Sequence, residues 1–230
     1  MRPTPTMLIL AAVLATSANA EMVHTLRVYD YTQVSDKIVR KAEVLAQQVF
    51  WKAGVETEWI HCPAGAGEEA RFPACRRPMS GTDVILQILP QTMENRGLSR
   101  RAFGYALPDA GGLPARHAYV FLHRVDEVVA KSRRTARCIS REVLLAYVVA
   151  HEVGHLLLGT DSHSECGVMR GRWSAEDLQE MELGRTAFDA GQARAMRRHV
   201  EERGRQLAAE SRGEERVEKS GREGPKPAEY

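Results

Sequence analysis

The sequence predicts an α+β domain with a mixed, twisted sheet, a central helix and C-terminal helices. Three observations carry that prediction. Short alternating or apolar runs recur before residue 125. One long run, REVLLAYVVAHEVGHLLL, is apolar nearly all round. Helical spacing then dominates after Ser174, behind a cap. At 230 residues there is room for one such domain with appendages, and an apolar fraction of 43% is ordinary for a globular chain. The net charge of +2 is too small to argue for a nucleic-acid partner.

The elements follow in order. Val23–Tyr31 (VHTLRVYDY) alternates and is β-rich, so it reads as a strand. Ser35 can cap a helix with apolar residues at Ile38, Val39, Ala42, Leu45, Ala46, Val49 and Phe50, stopping at Gly54. Val55–Ile60 alternates again, and Thr82–Pro90 suits a buried strand. A further strand is expected over Ala118–His123. Ser140 can cap the central helix, which runs through Leu158 to a glycine C-cap at Gly159. Ser174 can cap a helix over Ala175–Phe188, and another is expected over about Gly191–Ala209. A helix between the first two strands favours a right-handed βαβ start.

The ends and the cysteines suggest a compartment. Arg2, the apolar run Met7–Ala15 and small residues at Ala18 and Ala20 have the layout of a secretory signal peptide cut after Ala20. The run is well short of the ~20 residues a membrane span needs. The expected organisation is a signal peptide over 1–20, a catalytic domain over 21–190, a C-terminal helix over 191–210 and a disordered charged tail over 211–230. A mature chain starting after Ala20 enters the first strand almost at once, so no inhibitory pro-segment is expected. Secretion, or residence in a periplasm, leads one to expect paired cysteines. Four cysteines allow three connectivities. Sequential pairing, Cys62 with Cys75 and Cys138 with Cys166, is the expectation.

The chemistry lies in AHEVGHLLLGTDSHSECGVMRG, residues 150–171. His151 and His155 are four apart, so one helix face can present both imidazoles to one zinc ion. Glu152 beside them is aimed differently and suits a general base acting on a zinc-bound water. A catalytic zinc needs a third protein ligand and one open position. Glu176 and Glu180 are possible from a later helix. Asp161 and His163 follow the glycine turn, and His163 better matches the borderline softness of zinc. Asp161 can then cap the turn or bond a ligand histidine. Cys166 is a weaker candidate ligand.

A helix with H-E-x-x-H, a glycine turn, a further histidine and then Met169 resembles the metzincin metallopeptidases. The wording HEVGHLLLGTDSHSECGVM is similar to small secreted or periplasmic bacterial metzincin-like proteins, in which HExGHLLLG is followed by Ser-His-Ser and Gly-Ile/Val-Met. The likeness covers about residues 22–195 and extends to LRVYDYTQVS and MRGRWSAEDL. The better-known pattern, H-E-x-x-H-x-x-G-x-x-H, is departed from. Leu158 stands at the glycine position and Asp161 at the third histidine, while Gly159 and His163 come one and two residues late. The resemblance implies a metzincin-like (zincin) fold and a zinc peptidase. It also implies a methionine floor at Met169 and an edge strand that binds extended substrate, for which Ala118–His123 is the candidate.

The sequence therefore points to an exported zinc endopeptidase with His151, His155 and His163 as metal ligands and Glu152 as base. It would act on peptide or protein substrates, as a monomer, without a stable membrane span. Two other readings stay open. One is a zinc amidase acting on cell-wall or small peptides. The other is a metal-stabilised binding protein without turnover.

Overall fold

The computed structural model describes residues 23–65, 67–92, 101–107, 116–134 and 138–222. The expected signal peptide and residues 223–230 lie outside the described residues. Five strands form one sheet: β1 Val23–Asp30, β2 Glu56–Cys62, β3 Val84–Leu89, β4 Gly104–Ala106 and β5 His117–Phe121. Their spatial order is β2-β1-β3-β5-β4. All pairings are parallel except β4 with β5. Helices α1 Asp36–Lys52 and α2 Pro73–Arg76 come first, then α3 Leu122–Ser132 and α4 Arg141–Leu158, and finally α5 Ala175–Glu182 and α6 Ala190–Arg222.

β1, β2, β3 and α1 form where the sequence pattern predicts them, β4 forms where no strand is expected, and β1-α1-β2 makes a parallel unit. Helix α1 buries Val39, Ala42, Ala46, Val49 and Phe50, the stripe that its apolar spacing prescribes. Helix α4 runs through the core with Leu144, Leu145, Ala146, Val148, Ala150, Val153 and Leu157 at 0% exposure. It is therefore held on every side before any ligand is considered. Gly159 ends it in the left-handed region at φ 64°. At its start, the backbone N–H of Ser140 donates to Glu182 Oε2 at 2.8 Å.

Four expectations need correction. Ala118–His123 is not an edge strand. β5 lies between β3 and β4, the edge is the three-residue β4, and His123 belongs to α3. Cys62 pairs with Cys75 as expected, but Cys138 and Cys166 do not pair with each other, and both are exposed. The reason is length. They flank opposite ends of α4, and an 18-residue helix is about 27 Å long. The helix from Ala175 ends at Glu182 rather than Phe188, because the chain turns at Gly184 with φ 67°. Helix α6 continues to Arg222, past the boundary expected at 211. Its early turns bury Ala193, Met196, Val200 and Arg203, a 3-4-3 spacing that seats them in one seam.

His24 on β1 is fully buried, and its Nδ1 lies 2.9 Å from the Thr82 carbonyl oxygen. Burial lowers its pKa from 6.5 to about 4. The unfolded chain therefore takes up this proton at a higher pH than the folded one. The contribution of His24 is intact above about pH 6.5 and is lost as the pH falls towards 4. Urea unfolding should show a loss of roughly 3 kcal/mol across that window, and His24→Leu should remove that part of the slope. An unchanged slope in the variant would rule His24 out as its source.

Candidate metal centre

Helix α4 presents His151 and His155 one turn apart, and the loop after Gly159 returns His163 beside them. Their ligand atoms all lie within 4.8 Å of one another. His163 stacks on His151 with centroids 5.2 Å apart, and meets His155 edge-on at 5.0 Å. His151 is buried, His155 partly so, and His163 is exposed, so the cluster opens to solvent on the loop side. Asp161 is not in the group, although its carboxylate is close enough to favour the charged form of His155. Glu176 and Glu180 are exposed on α5 and are not in it either. Nor are His117, His123 and Cys166.

The hydrogen bonds show what the cluster suits. His151 Nδ1 lies 2.8 Å from the Val168 carbonyl oxygen, and His155 Nδ1 lies 2.8 Å from that of Thr160. A carbonyl only accepts, so both Nδ1 atoms carry the proton and donate. In neutral rings both Nε2 atoms are then bare lone pairs, yet they face each other at 3.1 Å. Two acceptors cannot bond each other. Burial lowers both pKa values, that of His151 to about 4, which disfavours a shared proton. A cation between the lone pairs resolves the conflict. Three histidine nitrogens, with two of the rings fixed through their other nitrogen, are a donor set that zinc fits.

Met169 is 1% exposed, with Val168 beside it at 0%. The segment is closed on itself by Ser164 N–H donating to Met169 O at 2.8 Å, and is tied to the stretch after α5 by Val168 N–H donating to Ala187 O at 3.2 Å. Gly154 on α4 makes the approach possible, since a Cβ there would lie 2.7 Å from Met169 Sδ. Glu152 is 5% exposed, and burial raises its carboxyl pKa to about 8. It lies against the edge strand. A Cβ on Gly104 would come within 2.8 Å of Glu152 Cγ and 2.1 Å of the Tyr119 carbonyl oxygen.

Sequence reasoning missed Phe103, Gly104 and Trp173. Trp173 meets the His151 ring edge to face at 5.5 Å, and Phe103 packs on Trp173 at 5.5 Å. Trp173 lies within MRGRWSAEDL, directly before the capping pair Ser174 and Asp177, but nothing in that stretch points to a contact with His151.

No family model matches the sequence, and no curated protein does. Among solved structures, the chain is similar to archaemetzincin from Methanopyrus kandleri. The TM-score is 0.50 at 16% identity, over 81% of this chain and 99% of that one. That likeness shows a metzincin-like fold.

Proposed function

We propose that this protein is a zinc-dependent endopeptidase, and that His151, His155 and His163 hold the metal. The observation that carries the reading is the meeting of two bare Nε2 lone pairs at 3.1 Å, with a third imidazole beside them. Zinc, when bound, supplies Lewis acidity that polarises a peptide carbonyl and a water molecule. Glu152, one residue from the first ligand and nearly sealed against β4, takes the proton of the attacking water and passes it to the leaving amine. A group whose pKa lies near neutrality can do both, and burial moves Glu152 in that direction. The edge strand β4 offers its outer backbone groups to an extended substrate, which would add as a further strand.

The domain and its compartment belong to the same reading. Residues 21–190 form the catalytic domain, and a chain with the signal-like layout of residues 1–20 is exported. The Cys62–Cys75 disulfide fits an oxidising compartment. No helix among the described residues is long and apolar enough to cross a membrane.

Calorimetric titration of the chelator-treated protein with Zn2+ should give one site per chain. Cleavage of an unfolded protein substrate should appear on loading and vanish on chelation. His163→Ala should weaken zinc binding by at least tenfold, whereas Asp161→Ala should change it by less than threefold, because Asp161 is not in the cluster. One site with no cleavage would sink the peptidase reading. The reverse order of the two variants would move the third ligand to Asp161.

A further inference from the structure

The His151 imidazole is held on two sides. The Val168 carbonyl takes its Nδ1–H at 2.8 Å, and Trp173 meets the ring at 85°, with centroids 5.5 Å apart. The indole Nε1 is buried and has no hydrogen-bond partner, so a hydrogen bond is not what keeps Trp173 in place. The backbone on either side of it is tied to one carboxylate. Asp177 receives Arg170 Nη1 on both oxygens, at 2.9 and 2.7 Å, and the Ser174 backbone N–H at 2.6 Å. The Asp177 N–H donates back to Ser174 Oγ at 3.3 Å. Arg170 precedes Trp173 by three residues and Ser174 follows it directly, so Asp177 braces the short segment that carries the ring. Phe103, next to β4, closes the far side at 5.5 Å.

We propose that Trp173 and Asp177 are positioning residues for His151, with Asp177 fixing the 170–174 segment and Trp173 fixing the rotation of the imidazole. The ring then presents Nε2 to the metal in the tautomer that the Val168 carbonyl selects. This inference rests on the reading of the three histidines as a metal centre. An aromatic face without a hydrogen bond suffices for the task, so a phenyl ring should replace the indole. Removing the outer support of a ligand histidine commonly costs about 10- to 100-fold in metal affinity.

The test uses the full chain and Zn2+ alone. Trp173→Leu should raise the zinc Kd by about 10- to 100-fold, Asp177→Asn by about tenfold, and Trp173→Phe by less than about threefold. In a double-variant cycle, Asp177→Asn should add nothing once Trp173 is leucine, since it acts through that side chain. Long-range proton–nitrogen spectra of the zinc-free protein give a second readout. Wild type and Trp173→Phe should show His151 as a single Nδ1–H tautomer, and Trp173→Leu a mixture. Absence of zinc binding by the wild type would overturn the metal-centre reading, while the tautomer spectra would still decide the positioning role. A Trp173→Leu variant with unchanged Kd and a single tautomer would overturn the proposal. So would fully multiplicative losses in the cycle.

Discussion

Glu152→Gln should lower kcat by about 10²- to 10⁴-fold, the usual contribution of a positioned acid–base group, while leaving the zinc stoichiometry and affinity near those of the wild type. Glutamine keeps the shape that fits against Gly104 but cannot take a proton. The site is otherwise prepared for this variant. Glu152 is 5% exposed and its carboxyl is already raised by burial, so an uncharged group is tolerated there and the fold should be slightly more stable, not less. Steady-state kinetics on a peptide substrate, paired with a zinc titration of the same preparation, separates the two effects. Loss of zinc together with activity would make Glu152 part of the metal's hold, and retained activity would remove it as the base.

Asp83→Asn should destabilise the fold by about 3–5 kcal/mol, the range expected when one partner of a buried ion pair is removed. Arg27 and Asp83 are 3% and 2% exposed, and Asp83 Oδ2 accepts from Arg27 Nη2 at 2.6 Å and from Nε at 2.9 Å. The guanidinium also donates to the carbonyl oxygens of Cys75 and Pro78, at 3.1 and 3.0 Å. It thereby fastens the disulfide-containing segment to the sheet. Asparagine leaves a buried cation facing a neutral amide, a defect that water cannot reach to repair. Thermal unfolding should shift down by roughly ten degrees. The paired change Arg27→Met with Asp83→Leu should recover most of the loss, since two apolar groups of similar size leave no charge behind. A single variant within about 1 kcal/mol of wild type would mean that the pair is solvated in solution.

Much of this architecture is legible in the residues, for physical reasons that differ by element. Helix α4 is readable because eighteen residues, apolar nearly all round and too long for a strand, run from Ser140 to a glycine. The His151–His155 pair inherits that certainty, since a four-residue step on a helix determines which side chains are neighbours. Helix α1, β1 and β2 are readable from their periods, and β3 from a short apolar run. β4 is not, because three residues are too few to show a period. Its place at the edge depends on pairing with β5, not on its own composition. The Cys138–Cys166 pairing failed because sequence order says nothing about a rigid rod lying between two thiols. Trp173 was passed over for a similar reason. Its contact with His151 spans twenty-two positions of chain and exists only once the loop after α4 has folded back.

The strand order carries a consequence for how the chain reaches this state. β1, the first strand in the chain, sits inside the sheet, and it pairs with β3 in the register Leu26 to Val84. β3 in turn waits for β5, with Ile85 opposite His117. The sheet therefore cannot be completed until more than half of the polypeptide has emerged, and each parallel pairing must close a long loop before it gains anything in return. Chains of such high contact order fold in roughly milliseconds to seconds rather than microseconds. Through that interval the apolar strands are uncovered. That interval is when such a chain is most exposed to aggregation.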